Sequence, residues 1–192
     1  METGTILLLI GIALLVIGYV WYVSIVTKRN KVQESLSGID VQLQKRSDLI
    51  PNVLTIAKKF MQHERELMEQ ITALRTQVDT SYDRKDGQSV QEHLGLAEQL
   101  RQKLGSLMVQ VENYPDLKSD KTMLQAQQTY NEVEAQITAA RRFYNASVTQ
   151  LNNAVQIFPG TLIARIAGVN VFPFYDIDEA AAKPVNAQDI LK

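Results

Sequence analysis

The sequence contains no cysteine, and only five prolines and nine glycines among its 192 residues. The lack of cysteine excludes a disulfide framework, a zinc–thiolate site and a cysteine nucleophile. The low content of proline and glycine favours long helices over many short strands. The formal net charge of -1 lacks the positive excess that is typical of nucleic-acid-binding proteins, so we expect no nucleic-acid partner.

The residues that most enzymes need are also scarce. Only two histidines are present, and His63-Glu64 is not followed by a second histidine at helical spacing, as a zinc protease motif requires. No glycine-rich phosphate loop, nucleophile elbow or cluster of metal ligands is visible in the sequence. We therefore expect a non-enzymatic protein without a cofactor or a metal.

The N-terminal region is apolar. Residues 5–26 carry no charge, and this run exceeds the roughly 20 residues that cross a bilayer core. Trp21 and Tyr22 stand at its end, where aromatic rings prefer the headgroup level. No Lys or Arg precedes the run and no small-residue cleavage site follows it, which argues against a cleaved signal peptide. The sequence thus predicts a transmembrane anchor over residues 1–27.

The flanking charges predict the orientation of this anchor. Lys28, Arg29 and Lys31 follow the apolar run, whereas only Glu2 precedes it. Because positive charges stay in the cytoplasm, we expect the N-terminus outside the membrane and the remaining chain in the cytoplasm.

Three glycines of the anchor are spaced by seven residues. Gly4, Gly11 and Gly18 therefore share one face of a helix, and small residues on one face allow another helix to approach closely. This pattern favours a homo-oligomer assembled within the membrane lipid. The alternative is that glycine is simply frequent in membrane helices.

Apolar residues recur every three or four positions through most of the remaining chain. The first series covers residues 32–78 and keeps its phase across Pro51, which predicts one bent helix or two nearly collinear ones. After a polar loop at 79–87, two further series cover 90–111 and 123–158. The second of these ends at a Pro-Gly stop.

These series predict an all-α fold. Long helices joined by short loops pack antiparallel, so we expect an N-terminal transmembrane helix followed by an antiparallel bundle of three to four long helices over residues 28–160. Residues 161–192 differ in character. The apolar stretch 162–174 either packs on the bundle, which we favour, or meets a partner or lies in the membrane surface. From residue 176 the tail is acidic and then polar, and no structure is assigned to it.

Several polar residues interrupt the apolar pattern. Arg46 and Glu64 occupy positions where the apolar repeat calls for an apolar side chain, here called seam positions. An unpaired charge is costly there, so each must find a partner or reach water. The candidate partners are Asp48 and Glu134 for Arg46, and Arg141 and Arg142 for Glu64. A polar ladder along the third helix is expected from four further side chains, and we interpret it as structural rather than ligand-binding: Arg141, Tyr144, Asn145 and Asn152.

The order of several short motifs resembles the LemA family of bacterial membrane proteins. The residues that carry this resemblance are 39–43 (IDVQL), Lys45-Arg46, 48–52 (DLIPN), His63-Glu64, 114–118 (YPDLK), Glu134, Ile137, Arg141, Tyr144-Asn145, Val148, Asn152 and Phe158-Pro159. The resemblance implies a membrane helix with an outside N-terminus, an antiparallel bundle and a link with membrane proteases and envelope stress.

Two functions are compatible with these patterns. The first is a membrane-anchored scaffold that self-associates. The second is an adaptor or regulator of another membrane protein, such as a protease, which would dock on residues 162–174 or on the acidic tail.

Overall fold

The computed structural model describes residues 2–175, and within that range all regular structure is helical. This confirms the predicted all-α fold. The polar tail that we expect from residue 176 lies outside the described residues. The helices are α1 (Glu2–Ala57), α2 (Arg65–Val78), α3 (Gly87–Val111), α4 (Pro115–Lys118), α5 (Lys121–Gln156) and α6 (Gly160–Ala167).

Helix α1 joins the apolar N-terminal segment to the bundle without a break. It continues for 56 residues and includes Pro51. A proline inside a helix costs about 3 kcal/mol, but Ile50, Val53 and Leu54 around it are buried in the core and hold the backbone helical. Of the helices in residues 2–175, only α1 is long and apolar enough to cross a membrane.

Residues 32–78 form neither one bent helix nor two nearly collinear helices, so that prediction is wrong. Residues 58–64 form a turn, and α2 folds back along α1, which brings Ser47 Oγ within 2.6 Å of Asp79 Oδ1. The apolar spacing survives this turn because Met61 and Ile71 are buried in the same core as α1. The interruption of the apolar series at Glu64 is the one sequence signal of the reversal.

The remaining helices are separated by capped turns. Asp86 caps α3 by accepting a hydrogen bond from Ser89 N at 2.8 Å. Asp120 caps α5 by accepting from Thr122 N and Met123 N. Helix α5 packs along α1, and α2 packs along α3. Their apolar faces form one core that runs the length of the bundle.

After α5 the chain crosses the end of the bundle and returns. Helix α6 packs against both α1 and α5 and ends at Gly168, whose φ of 63° lies in the left-handed region that glycine tolerates. Residues 169–175, here called the C-terminal strap, then run antiparallel to α5. The structure thus places most of the apolar stretch 162–174 on its own bundle.

Candidate functional site

The glycine face of the apolar N-terminal segment is uncovered. A Cβ atom added at Gly4, Gly11 or Gly18 would meet no other atom within 4 Å. The large apolar side chains between them are exposed as well, for example Leu7 at 70% and Leu15 at 75%. Residues 3–20 of α1 therefore extend beyond the bundle as a free apolar helix.

The basic residues after the apolar segment stand level with the end of α5. Lys28 Nζ donates to Ser24 Oγ at 2.7 Å, and Lys31 pairs with Glu34 at 2.9 Å. Arg29 is partly exposed beside them. A groove at this level is lined by residues of both α1 and α5: Val20, Trp21, Ser24, Lys28, Gln150, Asn153, Ala154 and Ile157.

Arg46 connects three helices from a fully buried position. Its Nη2 donates to the carbonyl oxygen of Ala97 on α3 at 2.8 Å, and its Nη1 lies 3.3 Å from Glu134 Oε1 on α5. The Glu134 side chain is 20% exposed, so the carboxylate keeps contact with water while it neutralises the guanidinium. A shift of one helix along its neighbour would separate this pair and leave an uncompensated charge. The contact therefore favours one helix register.

Glu64 is not part of an apolar seam. It precedes α2 at the turn, is partly exposed, and forms no side-chain capping bond. Within residues 2–175 it makes no ion pair with Arg141 or Arg142. The prediction that Glu64 lies in an apolar seam is wrong, because the chain reverses direction at residues 58–64.

A second polar cluster joins α1 to α3 around Asp40. Its Oδ1 accepts a hydrogen bond from Tyr82 Oη at 2.9 Å, and its Oδ2 lies 2.7 Å from Arg84 Nη2. His93 Nε2 is 3.7 Å from Oδ1, beyond hydrogen-bond distance, and the His93 ring stacks on Tyr82 with centroids 3.9 Å apart. Burial lowers the pKa of His93, and Asp40 opposes this effect. The histidine is therefore favoured as a neutral ring inside the fold.

This cluster was not predicted from the sequence, since its members come from three separate segments. Within the described residues, no three His, Cys, Asp or Glu side chains are grouped in the way a metal site needs. The contacts of Asp40 with Tyr82 and Arg84 hold the loop after α2 against α1. The geometry of the cluster therefore supports a structural role.

Two asparagines of α5 bind the backbone of the C-terminal strap. Asn152 donates to the Phe172 carbonyl and accepts from its N–H, both at 2.9 Å. Asn145 makes the same pair of bonds with Tyr175, at 3.1 and 2.9 Å. Seven helical residues rise about 10.5 Å, and three extended residues span about 10 Å. The two side-chain amides therefore match the spacing of the two strap residues.

Further contacts along α5 complete this attachment. Tyr144 Oη donates to the Pro173 carbonyl oxygen at 2.8 Å, and the Arg141 guanidinium lies 5.1 Å from the centre of the Tyr175 ring. The expected ladder residues thus all face the strap. Their partners lie 20 to 34 positions later in the chain, and no local pattern indicates them.

Together these features define a class of protein: an all-α bundle whose first helix continues as an apolar N-terminal segment and whose C-terminal strap is held by asparagine side chains. The chain belongs to the LemA family, whose family model matches residues 35–188. This match begins after the apolar segment and covers the bundle, α6 and the strap. No curated protein gives a significant match to the chain.

Proposed function

We propose that this LemA-family protein is a non-enzymatic, membrane-anchored scaffold that self-associates in the bacterial inner membrane. The observation that carries the proposal is the uncovered apolar segment 3–20 of α1, whose glycine face has open space beside it. We place the N-terminus outside and the bundle in the cytoplasm, because the basic residues follow the apolar segment.

The glycine spacing supports association through the anchor. Helices in lipid gain little from apolar contact, and they associate where small residues allow close backbone packing. A seven-residue repeat drifts by only about 20° per repeat on a straight helix. Gly4, Gly11 and Gly18 therefore keep one face over the whole segment.

The continuity of α1 gives this association a consequence for the bundle. Because the helix runs unbroken from the anchor to Ala57, two anchors in contact would fix the orientation of the two bundles. A flexible linker would transmit no such orientation. Assembly in the membrane would thus organise the cytoplasmic surfaces.

The test is the native mass of the full-length protein in lipid nanodiscs. The double variant Gly11→Leu with Gly18→Leu fills the open face and should dissolve a defined assembly. The control is Ala13→Leu with Val20→Leu, which places leucine at two positions on the opposite face of the same helix. A monomeric wild-type protein, or equal loss in both variants, would contradict association through the glycine face.

The second candidate function is an adaptor for another membrane protein. Phe143 and Phe174 are 72% and 45% exposed, and their sequence neighbours Tyr144 and Pro173 are hydrogen-bonded to each other. Deleting the whole C-terminal region is a poor test, because Phe172 and Tyr175 are part of the core. A photoreactive residue at Phe174 is preferable. A discrete cross-link to one membrane protein supports the adaptor, and cross-links only between copies support the scaffold.

A further inference from the structure

The region of α6 presents an unusual apolar surface. Leu162 and Ile166 lie one helical turn apart on α6 and are 59% and 81% exposed, and Phe158, just before the helix, is 80% exposed. The opposite side of α6 is packed, with Gly160 and Ala164 buried against the bundle. Large apolar side chains that are exposed so close together in the chain mark a surface that meets an apolar environment.

This surface lies at the level where the anchor ends. A Cβ atom at Gly160 would lie 3.6 Å from the Trp21 ring, and α6 packs directly against α1. Trp21 stands at the end of the uncharged run, where indole rings take up the headgroup level. The exposed side chains of α6 therefore lie near the same boundary.

The charges around α6 suit an anionic surface. Residues 157–175 contain no Asp or Glu, and their one charged side chain is Arg165. Arg165 is exposed on α6, and Lys28 lines the neighbouring groove. An apolar face next to basic residues is the composition of helices that lie in the plane of an anionic membrane surface.

We propose that α6 is a membrane-surface helix, with Phe158, Leu162 and Ile166 inserted at the headgroup–acyl boundary of the leaflet that the bundle faces. The occupant of this surface is an anionic phospholipid bilayer. The proposal rests on the membrane anchoring of α1 and not on self-association. A second contact with the bilayer, beside the anchor, fixes the tilt of the bundle against the membrane.

The backbone around Gly160 makes α6 a rigid extension of the bundle. A Cβ atom there would fall 1.8 Å from the carbonyl oxygen of Ala154, so the start of α6 is in close contact with the last turns of α5. The depth of α6 is therefore determined by the position of α5 along α1. A helix attached by a flexible linker would have no fixed depth in the bilayer.

The absence of cysteine allows a direct measurement of depth. Single cysteines replace Leu162 or Ile166, both exposed, so that labelling does not disturb the core. Leu14→Cys marks the middle of the anchor, and Gln62→Cys marks the turn at the far end of the bundle. Each full-length variant carries a nitroxide label in nanodiscs of phosphatidylcholine and phosphatidylglycerol. Collisions with oxygen report lipid, and collisions with a nickel chelate report water.

We expect the labels at 162 and 166 to collide more with oxygen and less with the nickel chelate than the label at 62, and to lie shallower than the label at 14. If both α6 labels are as accessible to nickel as the label at 62 while the label at 14 lies in lipid, the proposal is overturned and the anchor stands. If the label at 14 lies in water, the anchoring itself fails. Labels shielded from both reagents would show a protein contact instead, which also overturns the proposal.

Discussion

The attachment of the strap to α5 makes the sharpest prediction about stability. Asn145→Ala removes both hydrogen bonds to the backbone of Tyr175, and Asn152→Ala does the same for Phe172. Neither change touches the apolar core directly. The effect of each substitution therefore measures the asparagine contacts themselves.

The expected size follows from the number and burial of the lost bonds. Each neutral hydrogen bond contributes about 0.5–1.5 kcal/mol net, and more where the partner left behind is buried. Phe172 and Tyr175 are 5% and 3% exposed, so water reaches the abandoned backbone groups poorly. We expect each variant to lose about 2–3 kcal/mol, which for a chain of this length lowers the melting temperature by roughly 4–12 °C.

A charged variant separates hydrogen bonding from side-chain size. In Asn152→Asp one carboxylate oxygen still accepts from the Phe172 N–H, but the other faces the Phe172 carbonyl and repels it. Burial and this carbonyl raise the pKa of the introduced carboxyl in the folded state above its unfolded value. Its stabilising contribution is therefore present at low pH and lost as the pH rises through the folded pKa. The variant should approach the stability of the wild type near pH 4 and fall below it at pH 7.

Two measurements test this account. Thermal unfolding by circular dichroism gives the loss of stability, and hydrogen exchange reports whether the amides of Phe172 and Tyr175 open. Asn131→Ala is the matched control, because Asn131 is exposed on the same helix. Melting temperatures of the Asn145 and Asn152 variants equal to that of the control, with unchanged exchange of the strap amides, would refute the reasoning.

Two further perturbations follow from the same structure. Burial lowers the pKa of His93, so the unfolded chain binds its proton more readily and stability decreases as the pH falls below about 6.5. His93→Phe should weaken the fall in melting temperature between pH 7.5 and 5.5, whereas His63→Phe, at an exposed site, should not. Gly160→Ala forces a Cβ atom against the Ala154 carbonyl and should shift the fluorescence of the single tryptophan nearby. Gly168→Ala has open space and should cost only about 1–2 kcal/mol for its left-handed backbone, with the tryptophan emission unchanged.

Helical periodicity predicted the fold because each helix buries one continuous apolar face. The same periodicity concealed the reversal at residues 58–64. Met61 and Ile71 enter the same core as the end of α1, so the spacing of apolar residues is kept although the chain changes direction. Periodicity reports which face is buried and not the direction in which the chain runs.

The polar contacts were less predictable than the fold. Glu134 is one of the two partners that the sequence predicts for Arg46, and it is the one that pairs with Arg46 in the fold. The sequence does not predict the partners of Asn145 and Asn152. These partners are backbone groups of an extended segment, and residues of any type can supply them. Asp40 and His93 were missed because their contact depends on how α3 lies against α1.

The helix register at Arg46 has a testable consequence for the proposed membrane contact of α6. The apolar seams repeat every seven residues, so α5 sliding along α1 by one repeat would move α6 by about 10.5 Å. Since the headgroup layer on each side is only about 5–7 Å thick, that slip would remove α6 from the boundary. Arg46 allows one register, because its two bonds reach Ala97 and Glu134 together. Arg46→Met should therefore broaden or shift the depth of the label at Ile166, even where apolar packing preserves the melting temperature. Unchanged depth and assembly in this variant would mean that the apolar seams alone determine the register.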